Sequence, residues 1–243
     1  MHQFINEVIE EHKEELCILA KNIWENPEMG WEETKAVAWM AEVLKNNGFS
    51  VEVGAYNMPT CIRAVYGSGY PVVGFCGEYD CLPGLSQEIC TFHKPVVPDG
   101  NGHGCGHNLL GAGCVGACIA LKEALIKEGM EGTVIYYGCP AEEQLLGKGI
   151  MAKNGAFKEC DFTIAWHPAT ISRDTLGSHT GVEGLSVEFF GRTAHAAGEP
   201  YQGRSALDAL QLMNIGVEFL REHVTSDVRM HYIITDGGLA PNI

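Results

Sequence analysis

The run Gly132–Pro140, GTVIYYGCP, constrains this chain most. It is apolar on both faces of any extended conformation, so a strand made from it must be covered on two sides. Helical periodicity from about Leu109 to Lys127 precedes it, and a second helical stretch, LLGKGIMAKNGAF, follows before another apolar strand, DFTIAWHP. Upstream, GWEETKAVAWMAEVLKNNGF carries apolar residues at helical spacing and stops at Asn47 and Gly48. The short strand-like runs SVEVGAY, TCIRAVYG and PVVGFCG come next. Strands and helices alternating in this way predict an α/β fold, a mixed sheet flanked by helices.

From Gly181 the texture changes. VEGLSVEFFG alternates with a period of two, RSALDALQLMNIGVEFLREH is an amphipathic helix and VRMHYIITDGG is again strand-like, which predicts a separate α+β module. The expected domains are 1–179 and 180–243. The last residues, GGLAPNI, bring no closing helix or polar tail, so the sequence is expected to stop within its second module.

Acidic residues outnumber basic ones 31 to 16, a formal charge of -15, and no basic cluster interrupts that balance, which argues against a nucleic-acid partner. The amino-terminal stretch MHQFINEVIEEHKEELCILAKNIWENP reads as a charged amphipathic helix rather than a signal peptide. No later segment reads as a membrane span, so a cytoplasmic protein without membrane contact is expected. Its ten cysteines are scattered through apolar runs and are expected to be reduced. Cys114 and Cys118, one helical turn apart, read as packing residues.

Three stretches bear chemistry. In HGCGHN, Cys105 and His107 stand two apart, which in an extended segment puts both side chains on one side, and the glycines allow close backbone approach. Thiolate plus imidazole favours zinc or another borderline transition ion over magnesium or calcium. A buried cysteine beside a core histidine, or thiol redox chemistry at Cys105, would use the same residues. In CPAEEQLLGKG, Glu142 and Glu143 follow a strand at the end where α/β sheets place their sites; one could bind metal and the other act as a base. An acidic helix start is the plainer reading of the pair. In AWHPAT, His167 ends the next apolar strand. Together these donors exceed what one catalytic zinc with an open position needs and suit a two-ion site.

The runs GFCGEYDCLPG, GNGHGCGHNLLGAG, CPAEEQLLGKGIM, AWHP and GRTAHAAGEP, in this order across most of the chain, resemble the dinuclear zinc aminoacylase and carboxypeptidase family, metallopeptidase family twenty. Cys105, in place of an aspartate-type bridging ligand, resembles its amidohydrolase branch, and the GEYD and GCGHN spellings resemble aminobenzoyl-glutamate hydrolase and related dipeptidases within it. The resemblance implies a zinc-exopeptidase-like catalytic domain with an inserted lid that forms a homodimer. It implies two divalent cations, zinc first and manganese second, held by Cys105, His107, Glu143 and His167, with Glu142 as general base. It further implies that His195 reaches a neighbouring subunit's active site to polarise the scissile carbonyl and that Asn242 touches substrate. The implied reaction is hydrolysis of a small amide: an N-acyl amino acid, aminobenzoyl-glutamate or a dipeptide.

Two departures from the family pattern stand out. Where the wider family has a histidine ligand two residues before an aspartate, this chain has Glu78 and Asp80, which are left outside the ligand set; Asp80 either orients a ligand or serves a turn. The family's last metal-binding histidine lies beyond residue 243, so a non-catalytic metal-binding or dimerising fragment is the competing expectation. His103 is read either as a partner behind the ligands or as exposed, His93 is left unassigned, and His179 and His231 are given no functional role.

Overall fold

The computed structural model describes residues 1–172 and 181–241. The chain divides into two compact units, Met1–Arg173 and Asp174–Ile243. The expected border at 179/180, His179 and Asn242 all lie outside the described residues.

The first unit is built on a five-stranded mixed sheet. Its strands are β1 (Ser50–Val53), β2 (Ile62–Ser68), β3 (Val72–Glu78), β4 (Gly132–Cys139) and β5 (Phe162–Ile164), in the spatial order β1-β2-β4-β3-β5. β1 pairs antiparallel with β2 and β2 with β4, whereas β3 runs parallel to both β4 and β5. β3 is buried along its whole length and β4 nearly so, as unbroken apolar runs require of central parallel strands.

One face is covered by α1 (His2–Glu11), α2 (Lys13–Glu25), α3 (Thr34–Asn46) and α4 (His107–Glu128), whose Leu19, Ile23, Met40, Leu44, Val115 and Ile119 share a core with Ile62, Val134 and Tyr136 of the sheet. The other face packs Ile135, Tyr137 and Cys139 against Met58, Ala156 and Met151 of α5 (Gly147–Lys153).

α3 ends as its sequence predicts: Asn47 is the C-cap and Gly48 follows in the left-handed region at φ 84°. The amino-terminal stretch is two helices rather than one, interrupted at His12 with φ -92° and ψ 1°. The break lets Ile9 of α1 and Leu16 of α2 both lie beside Gly116 of α4.

β5 is shorter than expected. It ends at Ile164, and His167 lies three residues past the ladder rather than at the end of it. Trp166 packs its ring over Gly113 and Pro168 lies against Gly106, which draws the chain off β3 toward α4.

α4 also corrects the expectation that no later segment approaches a membrane span. By length and composition alone it could cross one, yet 61% of its most apolar window is buried inside the protein, which accounts for its apolarity.

The second unit contains α6 (Ala206–Leu220), capped by the Ser205 hydroxyl, which accepts the Asp208 backbone N–H at 3.0 Å. The segments VEGLSVEFFG and VRMHYIITDGG, expected as strands, belong to no ladder among the described residues, where Arg192 and Arg204 form an isolated bridge. Alternation specifies which face of a strand would be buried but does not supply the neighbour whose N–H and C=O groups complete the pairing.

His103 is 5% exposed, which overturns the exposed reading, while His93 is exposed. The His103 Nε2–H donates to the Ile23 carbonyl at 3.1 Å, tying the loop before α4 to the end of α2, and burial holds its pKa down at about 4. An unfolded imidazole takes up a proton near pH 6.5 and the folded one only near 4, so the folded state binds fewer protons between these values. Stability should therefore be full above about pH 6.5 and fall by on the order of 3 kcal/mol toward pH 4. Urea denaturation of His103→Gln across that window should show a shallower loss than the wild type.

Candidate metal centre

Parallel pairing in register brings the carboxyl ends of β3 and β4 to the same level, Glu78 opposite Cys139. Glu78 and Asp80 therefore emerge beside Glu142 and Glu143, at the edge where parallel sheets present their sites. α4 starts at this edge and lies so close to it that a Cβ at Gly111 would stand 2.7 Å from the Glu78 carbonyl oxygen.

Cys105 and His107 are joined here by a turn, not by the extended segment expected. Gly106 adopts φ 80°, a left-handed conformation suited to glycine, and His107 is the first residue of α4. Cys105 Sγ lies 3.3 Å from His167 Nε2, and the His107 and His167 rings meet edge to face at 5.8 Å between centroids. One ligand atom each from Cys105, His107 and His167 lies within 4.8 Å of the others, and the same holds for Glu78, His107 and Glu142.

The hydrogen bonds fix how the two histidines face this cluster. His107 Nδ1 stands 3.0 Å from Asp80 Oδ1 and 3.1 Å from the Asp80 carbonyl oxygen. The carbonyl can only accept, so Nδ1 carries the proton and Nε2 is the atom left to coordinate. His167 Nδ1 donates likewise to the Pro168 carbonyl at 2.9 Å, turning its own Nε2 toward Cys105. Asp80 thus orients a ligand-type histidine, and its second oxygen accepts the Glu143 backbone N–H at 2.8 Å.

The buried atoms at the centre lack ordinary partners. His107 Nε2, Glu78 Oε2 and Glu143 Oε1 have no hydrogen bond, although Nε2 and Glu78 Oε2 are 3.1 Å apart and Glu142 Oε2 is 3.6 Å from the same nitrogen. These approaches lack hydrogen-bond alignment. Donor atoms that converge out of hydrogen-bond alignment fit a cation.

The electrostatics agree. Burial lowers the His107 pKa, but the Asp80 hydrogen bond and the Glu78, Asp80 and Glu143 carboxylates outweigh it and the net shift is upward. Burial raises Glu143, against the pull of His107 and with the help of Asp80 and Glu142. Burial, followed by the charges of Glu143, Glu142 and Glu78, pushes the Cys105 thiol to about 11. That is the opposite of a reactive low-pKa thiol, so redox chemistry at Cys105 finds no support. A divalent cation would reverse each of these shifts.

Two members of the cluster lie outside the set expected from sequence. Glu78 has a side chain only 8% exposed, and its free oxygen faces His107. Lys148 of α5, within the CPAEEQLLGKGIM run, forms an ion pair with the other Glu78 oxygen. The glutamate in GEYD, at the end of a fully apolar strand, is the available signal for the first; nothing local marks the lysine. Cys114 and Cys118 are buried core residues, as expected.

His195 belongs to the second unit. Its Nδ1 accepts the Ala197 and Gly198 backbone N–H groups, each at 3.1 Å, so its proton sits on Nε2 and the ring is an exposed donor.

The sequence profile of Peptidase family M20/M25/M40 matches residues 74–232. The chain belongs to this family. It is 41% identical over 245 residues to a p-aminobenzoyl-glutamate hydrolase polypeptide of Escherichia coli strain K12, an alignment covering 100% of this chain and 51% of the relative. It is 31% identical over 249 residues to the Xaa-Arg dipeptidase of Mus musculus, covering 98% and 54% respectively. Among solved structures, a dinuclear metal-binding peptidase from the M20 family of Bacillus subtilis superposes with a TM-score of 0.51 at 20% identity, over 67% of this chain and 42% of that one. The chain spans about half the length of the curated relatives it matches.

If Asp80 sets the His107 tautomer, Asp80→Ala should weaken divalent-cation binding about 10- to 100-fold by isothermal titration calorimetry. Cation affinity of the wild type should fall as pH is lowered, because protons and cations compete for the same donors.

Proposed function

We propose that this chain carries the catalytic centre of a metal-dependent amidohydrolase acting on small amides: N-acyl amino acids, aminobenzoyl-glutamate or dipeptides. The observation that carries the reading is the convergence of Cys105, two histidines turned by their Nδ1 bonds, and the Glu142 and Glu78 carboxylates at one strand edge, with Glu143 3.8 Å from the Nδ1 side of His107. The names of the relatives in the same family point to the same substrate class.

In this reading Cys105, His107, Glu143 and His167 hold two divalent cations, zinc first, as the thiolate and imidazole donors favour, and manganese second. When bound, the cations supply Lewis-acid polarisation and make a water acidic enough to ionise near neutrality. Glu142 is the more exposed carboxylate of the pair, with its oxygen 3.6 Å from His107 Nε2. Its side chain is 28% exposed, while that of Glu143 is 17% exposed and anchored through its backbone to Asp80. Glu142 takes a proton from the attacking water as the new C–O bond forms, and returns it to the amine nitrogen as the C–N bond breaks. His195 offers its Nε2–H to the acyl oxygen of a substrate in a neighbouring subunit's site, where the negative charge develops. Asn242, implied as a substrate contact, lies outside the described residues.

The region 180–243 is proposed as a lid and dimerisation domain within a cytoplasmic homodimer. α6 supports this reading: Leu212, Ile215 and Phe219 are 69%, 51% and 70% exposed, an apolar stripe at helical spacing that a second copy could cover. Light scattering should give twice the chain mass.

Glu142→Ala should retain its cations, measured by elemental analysis, while turnover of an N-acyl amino acid or aminobenzoyl-glutamate falls about 10²- to 10⁴-fold. Wild-type turnover in that variant would end the assignment of Glu142. Stoichiometric metal without turnover in either protein would favour the binding fragment.

A further inference from the structure

The glutamate pair after β4 is held in place from outside its own loop. β4 ends at Cys139, and after Pro140 the backbone of Ala141 enters the left-handed region at φ 49°. A residue with a Cβ holds that conformation at a cost of about 1–3 kcal/mol, so the surroundings must impose it. Ala141 is fully buried, and what surrounds it is the segment Pro27–Thr34, PEMGWEET, which no part of the proposed mechanism uses.

Three contacts from that segment meet the loop. The Glu33 carboxylate accepts the Ala141 backbone N–H at 2.7 Å. Gly30 lies so close that a Cβ there would stand 2.9 Å from Ala141 Cα. Trp31 Nε1 donates to Gln144 Oε1 at 2.8 Å, and Gln144 Nε2 donates back to the Gly30 carbonyl at 3.3 Å.

Glu33 is the costly member of this set. It is 0% exposed, and its Oε2 is buried without a partner. Burial raises its carboxyl pKa, against the hydrogen bonds from the backbone. It stands at the N-cap position of α3 without capping the helix through its side chain. An apolar residue would fill the same space without the desolvation penalty, so packing alone does not account for a carboxylate here.

We infer that Glu33 is a positioning residue: by holding the Ala141 amide it keeps the turn in which Glu142 and Glu143 face the cation donors. The inference rests on the role proposed for Glu142, but its geometry can be tested apart from that role.

The experiment compares wild type, Glu33→Leu and Glu33→Gln in the intact protein, the glutamine keeping an acceptor oxygen. Amide hydrogen exchange should quicken at Ala141 in Glu33→Leu, with β4 still protected, and return toward wild type in Glu33→Gln. Turnover at saturating substrate should fall about 10- to 100-fold in Glu33→Leu, with KM and bound metal per chain within about twofold of wild type, and be largely restored in Glu33→Gln. Unchanged Ala141 exchange or wild-type turnover in Glu33→Leu overturns the inference. So does equal damage in both variants with loss of β4 protection, which would mark Glu33 as a fold residue only. Should the wild type itself turn over no amide, the hydrolase reading fails while the exchange comparison still decides the clamp.

Discussion

The parallel, in-register pairing of β3 with β4 is the constraint on which the rest of the first unit depends. It sets Glu78 level with Cys139, so the residues that leave the two strands emerge as neighbours: Glu78 and Asp80 from one, Glu142 and Glu143 from the other. A shift of one residue in either strand would turn its side chains to the opposite face and break up the cluster. With both strands buried on both faces, close packing fixes the register: a Cβ at Gly74 of β3 would stand 2.8 Å from the Tyr137 ring of β4, and one at Gly138 of β4 would stand 2.8 Å from Ile62 Cβ of β2. The apolar content of the strands therefore serves the site as directly as the donors do.

Such a site carries an electrostatic demand. Glu78, Asp80, Glu142 and Glu143 converge on one imidazole, and burial opposes charge on Glu143. Without a cation the structure answers in the ways open to it: the His107 pKa rises, Glu143 is pushed toward its neutral form and the Cys105 thiol is held un-ionised. Lys148 supplies a fixed positive charge beside Glu78. These shifts have a common cause, and a divalent cation satisfies all of them together, whereas a proton can satisfy only one group at a time.

Much of this is legible in the chain. Unbroken apolar runs announce the central strands, and Asn47-Gly48 announces the end of α3. Cys105, His107, the two glutamates and His167 can be singled out because donor residues stand next to glycines, prolines and strand ends. Two kinds of information are missing. The pairing partner of a strand is a long-range fact, so the extended segments of the second unit can be read as alternation but not as isolated backbone, and the exit of β5 toward α4 depends on Trp166 meeting a glycine 53 positions earlier. Contacts between distant loops are equally hidden: Lys148 on Glu78 and Glu33 against Ala141 join segments that carry no mark of one another, and Asp80 can be read as orienting a ligand but not as the partner of His107 in particular.

Glu78 shows how these hidden contacts divide a single side chain between two tasks. Lys148 engages one oxygen, which offsets the cost of burying the charge, and the other oxygen is left bare 3.1 Å from His107 Nε2. Paired on one side only, it keeps its second oxygen directed at the cluster. Where the wider family places an imidazole two residues before the aspartate, this chain places a carboxylate oxygen at the cluster. Lys148 comes from α5, and that helix follows directly on the loop bearing Glu142 and Glu143, so the turn that positions the two carboxylates also delivers the ammonium that pairs with a third.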